Sequence, residues 1–571
     1  MQCTCRNQWC QQSFEITPSD LALYEKVSPI FNGKKELIPP PTLCPECRQQ
    51  RRAAFRNERT FYHRTCALTG EPLITMYAPE SPYTVYGVDA WWSDRWDPLS
   101  FGQPFDPSRS FFEQLQTLRS RVPRPALFAK ANENSPYTNH CDHAKNCYLC
   151  ADVGFGEDIF FSKYVIRAKD CMDCYMTNNS ELCYETLYTE GYRCIATRQC
   201  EEVSDSTFLY DCKSCHHCCL SWNLRGKSYC IENVQYTEAE YGERVRALRL
   251  DSFSGFERTR RRFEEVILRA IHQPSLLVHC EDSSGAALHH CKSVTDSYDV
   301  GNARDCAHCY LSDGLQDCYD TYESAFDCEL QYEGYACNRG KRILSCAISY
   351  DVSDVAYCDI CHNSKNLFGC VGLRHHQYCI LNRQYTKEEY ESLGAKIIDH
   401  MRKTPLRSPD GSSAGYEYGE FFPMSLSPFA YNETTAQEYF PLTKEQVLER
   451  GWEWKEEADD MPKVTRIIPA DQLPDAIDDI PDDILNWAIR CDATKRPFKI
   501  IRQELAFYRN MRLPVPHLHP DERHRRRMLL RHRCRLYRRP CAKCGQKMET
   551  TYAPEKPEIV YCESCYLSSV Y

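Results

Sequence analysis

The chain has no run of about 18 consecutive apolar residues, which excludes an ordinary membrane-spanning helix. Its first ten residues, MQCTCRNQWC, have neither the basic start nor the apolar centre of a secretory signal peptide. The motifs of phosphate loops, dinucleotide sites and HExxH metalloproteases are also missing. We therefore expect a cytoplasmic protein, and we find no catalytic constellation that would make it an enzyme.

Cysteine, in contrast, is abundant, with 37 among 571 residues. A chain of this length needs two to four structural units rather than one core, and it does not depend on disulfides for stability. A reducing compartment would in any case remove disulfides. Metal binding and buried free thiols are therefore the roles to consider.

The net charge of −10 is unevenly distributed. Residues 1–64 carry about +4 and residues 491–571 about +10, which leaves about −24 for the middle. A polyanion, if one binds, would bind at the ends.

One module occurs near both termini. MYAPESPYTVYGVDAWW begins at Met76, and TYAPEKPEIVYCESCYL begins at Thr551, 475 residues further on. At the same offset, LCPECRQQRRAAFRNERTFYHRTCALTG from Leu43 aligns without a gap with LHPDERHRRRMLLRHRCRLYRRPCAKCG from Leu518. Such long ungapped similarity indicates a duplication.

Each module has positions for two four-ligand metal sites, and one site in each has four cysteines. Paired thiolates at this spacing typically share one tetrahedral Zn²⁺, so about two zinc ions per chain are expected. Cys3 competes with Cys5 as a ligand in the first set. The predicted ligands are Cys5, Cys10, Cys44 and Cys47 at the front, and Cys541, Cys544, Cys562 and Cys565 at the back.

The other site of each module is incomplete. The front copy has Cys66, Thr69, Gly87 and Ala90, where no zinc is expected and where AWW would fill the space by packing. The back copy has Cys491, Thr494, His519 and Glu522. Cys491, His519 and Glu522 are either a weak metal site or a relic.

A basic, helix-forming stretch follows each first site, RQQRRAAFRNER at the front and RHRRRMLLRHRCRLYRR at the back. Arginines beside a zinc site are typical of contacts with phosphates of RNA or DNA. The alternatives are a solvated basic face, or pairing with the acidic middle of the same chain. The candidate contacts are Arg48, Arg51, Arg52, Arg56, Arg525, Arg526, Arg527 and Arg531.

The terminal modules resemble a probable zinc-ribbon domain of bacteria with a treble-clef-like arrangement, through CQQSFEI, LALYEK and PPPTLCPECR. Nearly the whole chain is similar to a bacterial family with zinc ribbons at both ends, through AWWSDRWDPLSFG, GEFFPMSLSPFAYNETTAQEYFPLT and TTYAPEKPEIVYCESCY. This resemblance implies a fold but no reaction. In that family the ribbon positions tend to be cysteine, so Thr69, Gly87, Ala90, Thr494, His519 and Glu522 depart from it.

The middle holds 25 of the 37 cysteines, between Cys141 and Cys379, in short strand-like segments such as NCYL, DCYM and HCYL. These segments form two series, and the sequences at the ends of the two series are similar at an offset of 149 residues. The segments start about 9 to 15 residues apart, with Asp, Asn, Gly and Ser between them. This pattern predicts a duplicated parallel β-solenoid in a mainly β protein. Its cysteines are interpreted as core thiols, with metal-cluster binding and disulfides as alternatives.

Helices are predicted after each series, from the capping pairs Thr237/Glu240 and Thr386/Glu389, and a shorter one at Thr443/Gln446. The two terminal modules are expected to pack on each other. The predicted boundaries are an N-terminal zinc module 1–92, a linker with one helix 93–136, solenoid repeats 137–236 and 280–385 with helical segments 237–279 and 386–404, a Pro- and Asp-rich arm 405–490, and a C-terminal zinc module 491–571.

These features predict a non-enzymatic, zinc-binding scaffold that contacts nucleic acid through its basic zinc modules. One alternative is a protein that handles metals or redox equivalents with solenoid thiols. The other is a protein–protein interaction scaffold without nucleic acid.

Overall fold

The middle of the chain is a parallel β-solenoid, most of whose coils take twelve residues. The structure is a computed structural model that describes residues 1–407, 413–456 and 464–571. Lys163 pairs in parallel with Ala151 of the preceding coil and with Tyr175 of the next, twelve residues away on either side. The predicted fold class, mainly β with a solenoid and four-cysteine clusters near both termini, is confirmed.

Each coil has four corners, because every third residue from His140 to Tyr188 has a positive φ. An L-residue in this left-handed conformation is costly, and Asp and Asn tolerate it best. Asp, Asn and His occupy many of these corners, including Asn146, Asp152 and Asp158. The coil is thus more regular than the spacing of the strand-like segments indicated, since a side of three residues repeats over most of its length.

The solenoid cysteines occupy one position in this repeat. With the exception of Cys219, every cysteine from Cys141 to Cys379 directly follows a corner residue of positive φ. The Cys150 Sγ, for example, donates to the Tyr148 carbonyl at 3.3 Å and to the Ile159 carbonyl, in the next coil, at 3.2 Å. Burial raises the pKa of Cys147 to about 11 and that of Cys328 to about 12, so these thiols stay protonated and can donate.

Replacing Cys150 with alanine is expected to lower the free energy of unfolding by about 1–2 kcal/mol, since it removes a buried sulfur and its hydrogen bonds. The metal content should not change. Urea unfolding followed by circular dichroism and metal analysis check both expectations. Loss of a metal ion from this variant would instead favour metal binding by the solenoid.

The three helices predicted from capping pairs begin at Thr237, Thr386 and Thr443, and capping boxes at Thr17 and Ser110 begin two more. The helices of the described chain are α1 Pro18–Val27, α2 Pro45–Ala53, α3 Val88–Trp92, α4 Phe111–Arg121, α5 Glu238–Ala247, α6 Phe253–Ile267, α7 Lys387–Lys403, α8 Thr435–Tyr439, α9 Lys444–Glu449, α10 Arg502–Met511, α11 Pro520–Met528 and α12 Glu563–Val570.

The strands fall into the two solenoid halves and several small sheets outside them. The first solenoid half contains Ala129–Lys130, Thr138–Asn139, Cys141–Asp142, Cys150–Gly154, Glu157–Phe160, Lys163–Ile166, Lys169–Met172, Tyr175–Thr177, Glu181–Tyr184, Leu187–Ile195, Arg198–Tyr210, Cys219–Trp222, Cys230–Ile231 and Val234–Gln235. The second contains Leu277–Val278, Gly285–His289, Lys292–Thr295, Ser297–Gly301, Arg304–Ala307, Tyr310–Tyr335, Lys341–Leu344, Tyr350–Ala356, His362–Phe368, Gln377–Ile380 and Arg383–Gln384. Outside the solenoid lie the antiparallel pairs Gln2–Thr4 with Ser13–Glu15, Ile30–Phe31 with Lys34–Lys35, Tyr62–Thr65 with Pro72–Thr75, Pro405–Arg407 with Ser413–Tyr416, and Tyr537–Pro540 with Lys547–Thr550. Val85–Tyr86 pairs in parallel with Arg124–Pro125, Ile271–His272 pairs in parallel with Ile559–Val560, and Arg466–Pro469, Trp487–Arg490 and Pro497–Phe498 form one small sheet.

The chain forms two compact units, each of which combines one terminal module with one solenoid half. Unit 1 consists of Met1–Leu127, Ser275–Glu456 and Cys534–Leu536. Unit 2 consists of Phe128–Pro274, Glu457–Arg533 and Tyr537–Tyr571. Each module therefore packs on the solenoid half that is more distant from it in the sequence. Whether the two modules also pack on each other stays a prediction.

The acidic segment DQLPDAIDDIPDDI forms local structure, although its Pro- and Asp-rich composition favours an extended or partly disordered arm. It forms the 3-10 turns Ala470–Gln472, Ile477–Asp479 and Asp482–Asn486. Ile477, Ile480 and Ile484 are buried in the core of unit 2, so the regularly spaced isoleucines outweigh the acidic residues between them. No helix in the described part of the chain is both long and apolar enough to cross a membrane.

Candidate metal centres

The four cysteines of the front set meet in unit 1. Cys5 and Cys10 lie in the loop of the hairpin Gln2–Thr4 to Ser13–Glu15, Cys44 caps α2, and Cys47 lies in its first turn. The four Sγ atoms all lie within 4.8 Å of one another. The Cys10 and Cys44 Sγ atoms are 3.7 Å apart, close to the edge of about 3.8 Å that a tetrahedral Zn²⁺ site requires with ligands at about 2.3 Å. Cys3 is outside this set.

The back set has the same construction in unit 2. Cys541 and Cys544 lie in the hairpin Tyr537–Pro540 to Lys547–Thr550, Cys562 caps α12, and Cys565 lies in its first turn. All four Sγ atoms again lie within 4.8 Å, with 3.7 Å between those of Cys544 and Cys562. Each terminal set is thus a ready cage for one metal ion.

Backbone N–H groups favour thiolates in both cages. The Cys44 N–H donates to the Cys5 Sγ at 3.3 Å, and the Cys562 N–H donates to the Cys541 Sγ at 3.2 Å. Hydrogen bonding from the Cys44 side chain lowers the pKa of Cys5 to about 2. Hydrogen bonding from Cys47 would lower the pKa of Cys44, but its bond to Cys5 and its burial raise it to about 12, so Cys5 is the thiolate of this pair. Burial opposes ionisation of Cys541, but N–H donors from Cys544, Cys562 and Lys543 lower its pKa to about 6. Thiolate is the form that binds a metal ion.

The two incomplete sites keep the same backbone geometry. Cys66 accepts the Gly87 N–H at 3.2 Å and Cys491 accepts the Thr494 N–H at 3.4 Å. In all four sites the third ligand position is the cap of a helix. All four sites also share one backbone hydrogen bond. It runs from the N–H of the residue after the first ligand position to the carbonyl oxygen two residues before the third ligand position. The donor–acceptor pairs are Arg6–Thr42, Ala67–Val85, Asp492–His517 and Ala542–Val560.

Of the two alternatives for Cys491, His519 and Glu522, a weak metal site or a relic, the structure favours the relic, since these three are not among the groups of described residues that gather at metal-binding distance. The His519 Nδ1 accepts the Asp521 N–H at 3.1 Å, at the start of α11. Arg525 and Arg526 each hold the Glu522 carboxylate at 2.7 Å, and hydrogen bonding from Arg525 lowers its pKa most, to about 2. Within the described residues, the thiols that gather at metal-binding distance are those of the two complete sets.

Trp91 directly follows Ala90, the fourth position of the incomplete site at the front, and is buried. Trp91 is 1% exposed, and its Nε1 donates to the Pro123 carbonyl at 3.0 Å. The Arg374 guanidinium lies 5.2 Å from its ring centroid and donates to its carbonyl at 2.8 Å. At the module offset of 475 residues, Trp91 corresponds to Tyr566. The Tyr566 hydroxyl accepts a hydrogen bond from Arg225, which lies 149 positions before Arg374, the offset of the two solenoid series. Each module thus receives an equivalent arginine from its solenoid half.

The arginines of α2 are buried against the solenoid half of unit 1. Arg48 and Arg52 both bind Asp320, at 2.9 and 3.1 Å. Arg52 also binds Glu333 at 2.6 Å. Burial alone would raise the pKa of Asp320, but these two guanidinium groups hold it below its ordinary value. We call this arrangement, two arginines four residues apart on one corner aspartate, the arginine clamp.

Unit 2 contains the same clamp on α11. Arg523 and Arg527, which match Arg48 and Arg52 at the module offset, bind Asp173 at 3.3 and 2.8 Å. Arg523 also binds Glu504 at 3.2 Å. Asp173 and Asp320 are both buried corner residues of positive φ. The helix that carries two metal-ligand positions is therefore fixed to the solenoid in both units.

The prediction of phosphate contacts is wrong for the buried arginines. Arg48, Arg51, Arg52, Arg56 and Arg527 are at most 6% exposed and pair with carboxylates, which is the alternative of pairing with the acidic middle. The side chains of Arg525 and Arg526 are 60% and 54% exposed but pair with Glu522. The Arg531 Nη1 contacts the Met528 sulfur at 3.7 Å.

No family model matches the chain. Among solved structures, a chain from Desulfovibrio desulfuricans G20 assigned as an acetyltransferase aligns with 50% of this chain and 86% of its own length, at 10% identity and a TM-score of 0.09. A likeness this weak carries no argument about fold or activity.

Proposed function

We propose that the protein is a non-enzymatic scaffold in which a β-solenoid carries two terminal modules, each built around one structural zinc ion. Four thiolates suit Zn²⁺, and a closed four-cysteine site leaves no coordination position for a substrate. The sequence resemblance to a bacterial family with zinc ribbons at both ends agrees with this proposal.

The arginine clamp is the observation that carries the proposal. In each unit a metal set or its remnant orders the start of a helix, and the clamp joins that helix to a buried aspartate of the solenoid. A metal ion in such a place contributes to the structure of a rigid surface. The clamp occurs in both units although only α2 also carries a complete ligand set.

The partner we propose is a protein rather than nucleic acid, because most arginines expected to meet phosphates are buried in ion pairs. Metal or redox handling by the solenoid is less well supported, because thiols such as Cys150 and Cys174 already donate to backbone carbonyls. In this proposal the partner protein binds to the exposed surface of the solenoid and its modules.

Removing zinc with a chelator is expected to loosen the terminal modules while the solenoid keeps its fold. Limited proteolysis followed by mass spectrometry should then show new cleavages within residues 1–92 and 537–571, and protection across residues 141–230. An identical cleavage pattern with and without the chelator would contradict a structural role for the metal.

A further inference from the structure

One face of the terminal module is covered in unit 1 and open in unit 2. Ala54 and Phe55, directly after α2, are 2% and 3% exposed. The module offset pairs them with Leu529 and Leu530, directly after α11, which are 71% and 45% exposed. Two adjacent exposed leucines at a position that is buried in the sister module require an explanation.

In unit 1 the cover is a segment of the chain itself, residues 417–435, which we call the strap. The rings of Phe421 and Phe422 lie 5.3 and 5.9 Å from that of Phe55. The Glu420 carboxylate accepts from the Arg51 Nη1 at 2.8 Å. An acidic residue followed by two aromatic residues therefore makes the central contacts of the strap with the module.

The strap also crosses the solenoid, along a column of corner residues. The Gly419 N–H donates to the Tyr357 hydroxyl at 2.8 Å, and the Ser345 hydroxyl donates to the Glu420 carbonyl at 3.2 Å. Starting from the clamp aspartate Asp320, the corner column of successive coils is Glu333, Ser345 and Tyr357.

The equivalent column of unit 2 starts from Asp173 and continues with Glu185, Ala196 and Phe208, one coil at a time. These three residues line a cavity of about 480 Å³. Phe256 and Phe263 of α6, together with Arg526 and Leu530, line it as well. The cavity therefore lies over the corner column of unit 2 that is equivalent to the one crossed by the strap in unit 1.

We propose that this cavity and the exposed Leu529–Leu530 pair bind an acidic–aromatic segment of a partner protein, in the manner in which unit 1 binds its own strap. The inference rests on the proposed scaffold function and names the partner class. Arg526 matches Arg51 at the module offset and lines the cavity, where its guanidinium, whose Nε binds Glu522, would receive the acidic side chain. The phenylalanine walls suit aromatic side chains, and the volume lies within the range of about 300–1,000 Å³ that is usual for ligand sites.

The test uses the strap's own sequence as the probe. A fluorescein-labelled peptide with the sequence of Glu417–Pro423, EYGEFFP, is titrated with the zinc-loaded full-length protein and followed by fluorescence anisotropy. Saturable one-to-one binding is expected, and a peptide with both phenylalanines replaced by alanine should not bind.

Three variants locate the site. Arg526→Glu is expected to weaken binding by about tenfold or more, since it places a like charge beside the peptide carboxylate. Arg525→Glu is the matched control, because Arg525 is equally exposed and also pairs with Glu522 but is outside the cavity lining. Ala196→Trp should abolish binding by filling the cavity, and its melting temperature and zinc content show whether it is folded.

Absence of saturable binding would overturn the proposal, and so would equal losses with Arg525→Glu and Arg526→Glu. Binding that a folded Ala196→Trp variant retains would also overturn it, since the peptide would then be displacing the strap in unit 1. A full zinc content without peptide binding would leave the scaffold proposal intact and refute this one alone.

Discussion

Replacing Arg52 with alanine is expected to lower the free energy of unfolding of unit 1 by about 3–5 kcal/mol, the range found when one partner of a buried ion pair is removed. Arg52 is fully buried and binds Asp320 and Glu333, which are both buried as well. Without it, these carboxylates share fewer positive charges and cannot recover solvation by water.

The loss should depend on pH, because burial already raises the pKa of Glu333 above its ordinary value. An acid whose folded-state pKa is raised is most favourable to folding below its ordinary pKa, and that contribution is lost as the pH rises through the folded-state value. Removing Arg52 raises this pKa further, so the variant should be more destabilised at pH 8 than at about pH 5, just above the ordinary pKa of glutamate.

Hydrogen exchange of α2 followed by mass spectrometry measures this loss locally, and melting curves at the two pH values measure the pH dependence. Arg525→Ala is the control, since an exposed ion pair contributes at most about 1 kcal/mol. Unchanged protection of α2 in the Arg52 variant would show that the clamp does not hold the module on the solenoid.

Replacing Cys541 with serine is expected to remove one zinc ion per chain and to unfold the hairpin Tyr537–Thr550. Structural zinc sites in small peptides contribute about 10–16 kcal/mol of apparent binding free energy, so a hairpin this small depends on its metal. With three thiolates instead of four, the back set no longer supplies the four ligands of a tetrahedral zinc site.

Cys66→Ser is the matched control for this variant. Cys66 holds the same place in the front module, 475 residues earlier, and accepts the same N–H bond, but its site has Gly87 and Ala90 where the back site has cysteines. Metal analysis of the two variants side by side should show one zinc ion lost from Cys541→Ser and none lost from Cys66→Ser. Equal losses would mean that metal is bound where four thiols do not meet.

The sequence predicted both cages because each consists of two closely spaced pairs of cysteines, the spacing that a shared zinc ion requires. It also predicted the solenoid, although the period was less well defined than it could have been. Most spacings between successive solenoid cysteines are multiples of three, as between Cys337, Cys346 and Cys358, which is the signal of a three-residue side.

The arginine clamp could not be predicted in the same way. Asp173 and Asp320 are two of many corner aspartates, and only the coil register selects them. That register is shifted by irregular coils, such as the step of eleven residues from Leu187 to Arg198. In the sequence the arginines therefore resemble exposed basic patches, because the carboxylates that pair with them in the buried clamp lie far away in the chain.

The metal content of the full-length protein, purified under reducing conditions, tests the central claim most directly. Elemental analysis against a protein concentration from amino-acid analysis should give two zinc ions per chain and no iron. A chain without bound metal, or one with many more metal ions or with the absorption of an iron–sulfur cluster, would contradict a scaffold held by one zinc ion at each end.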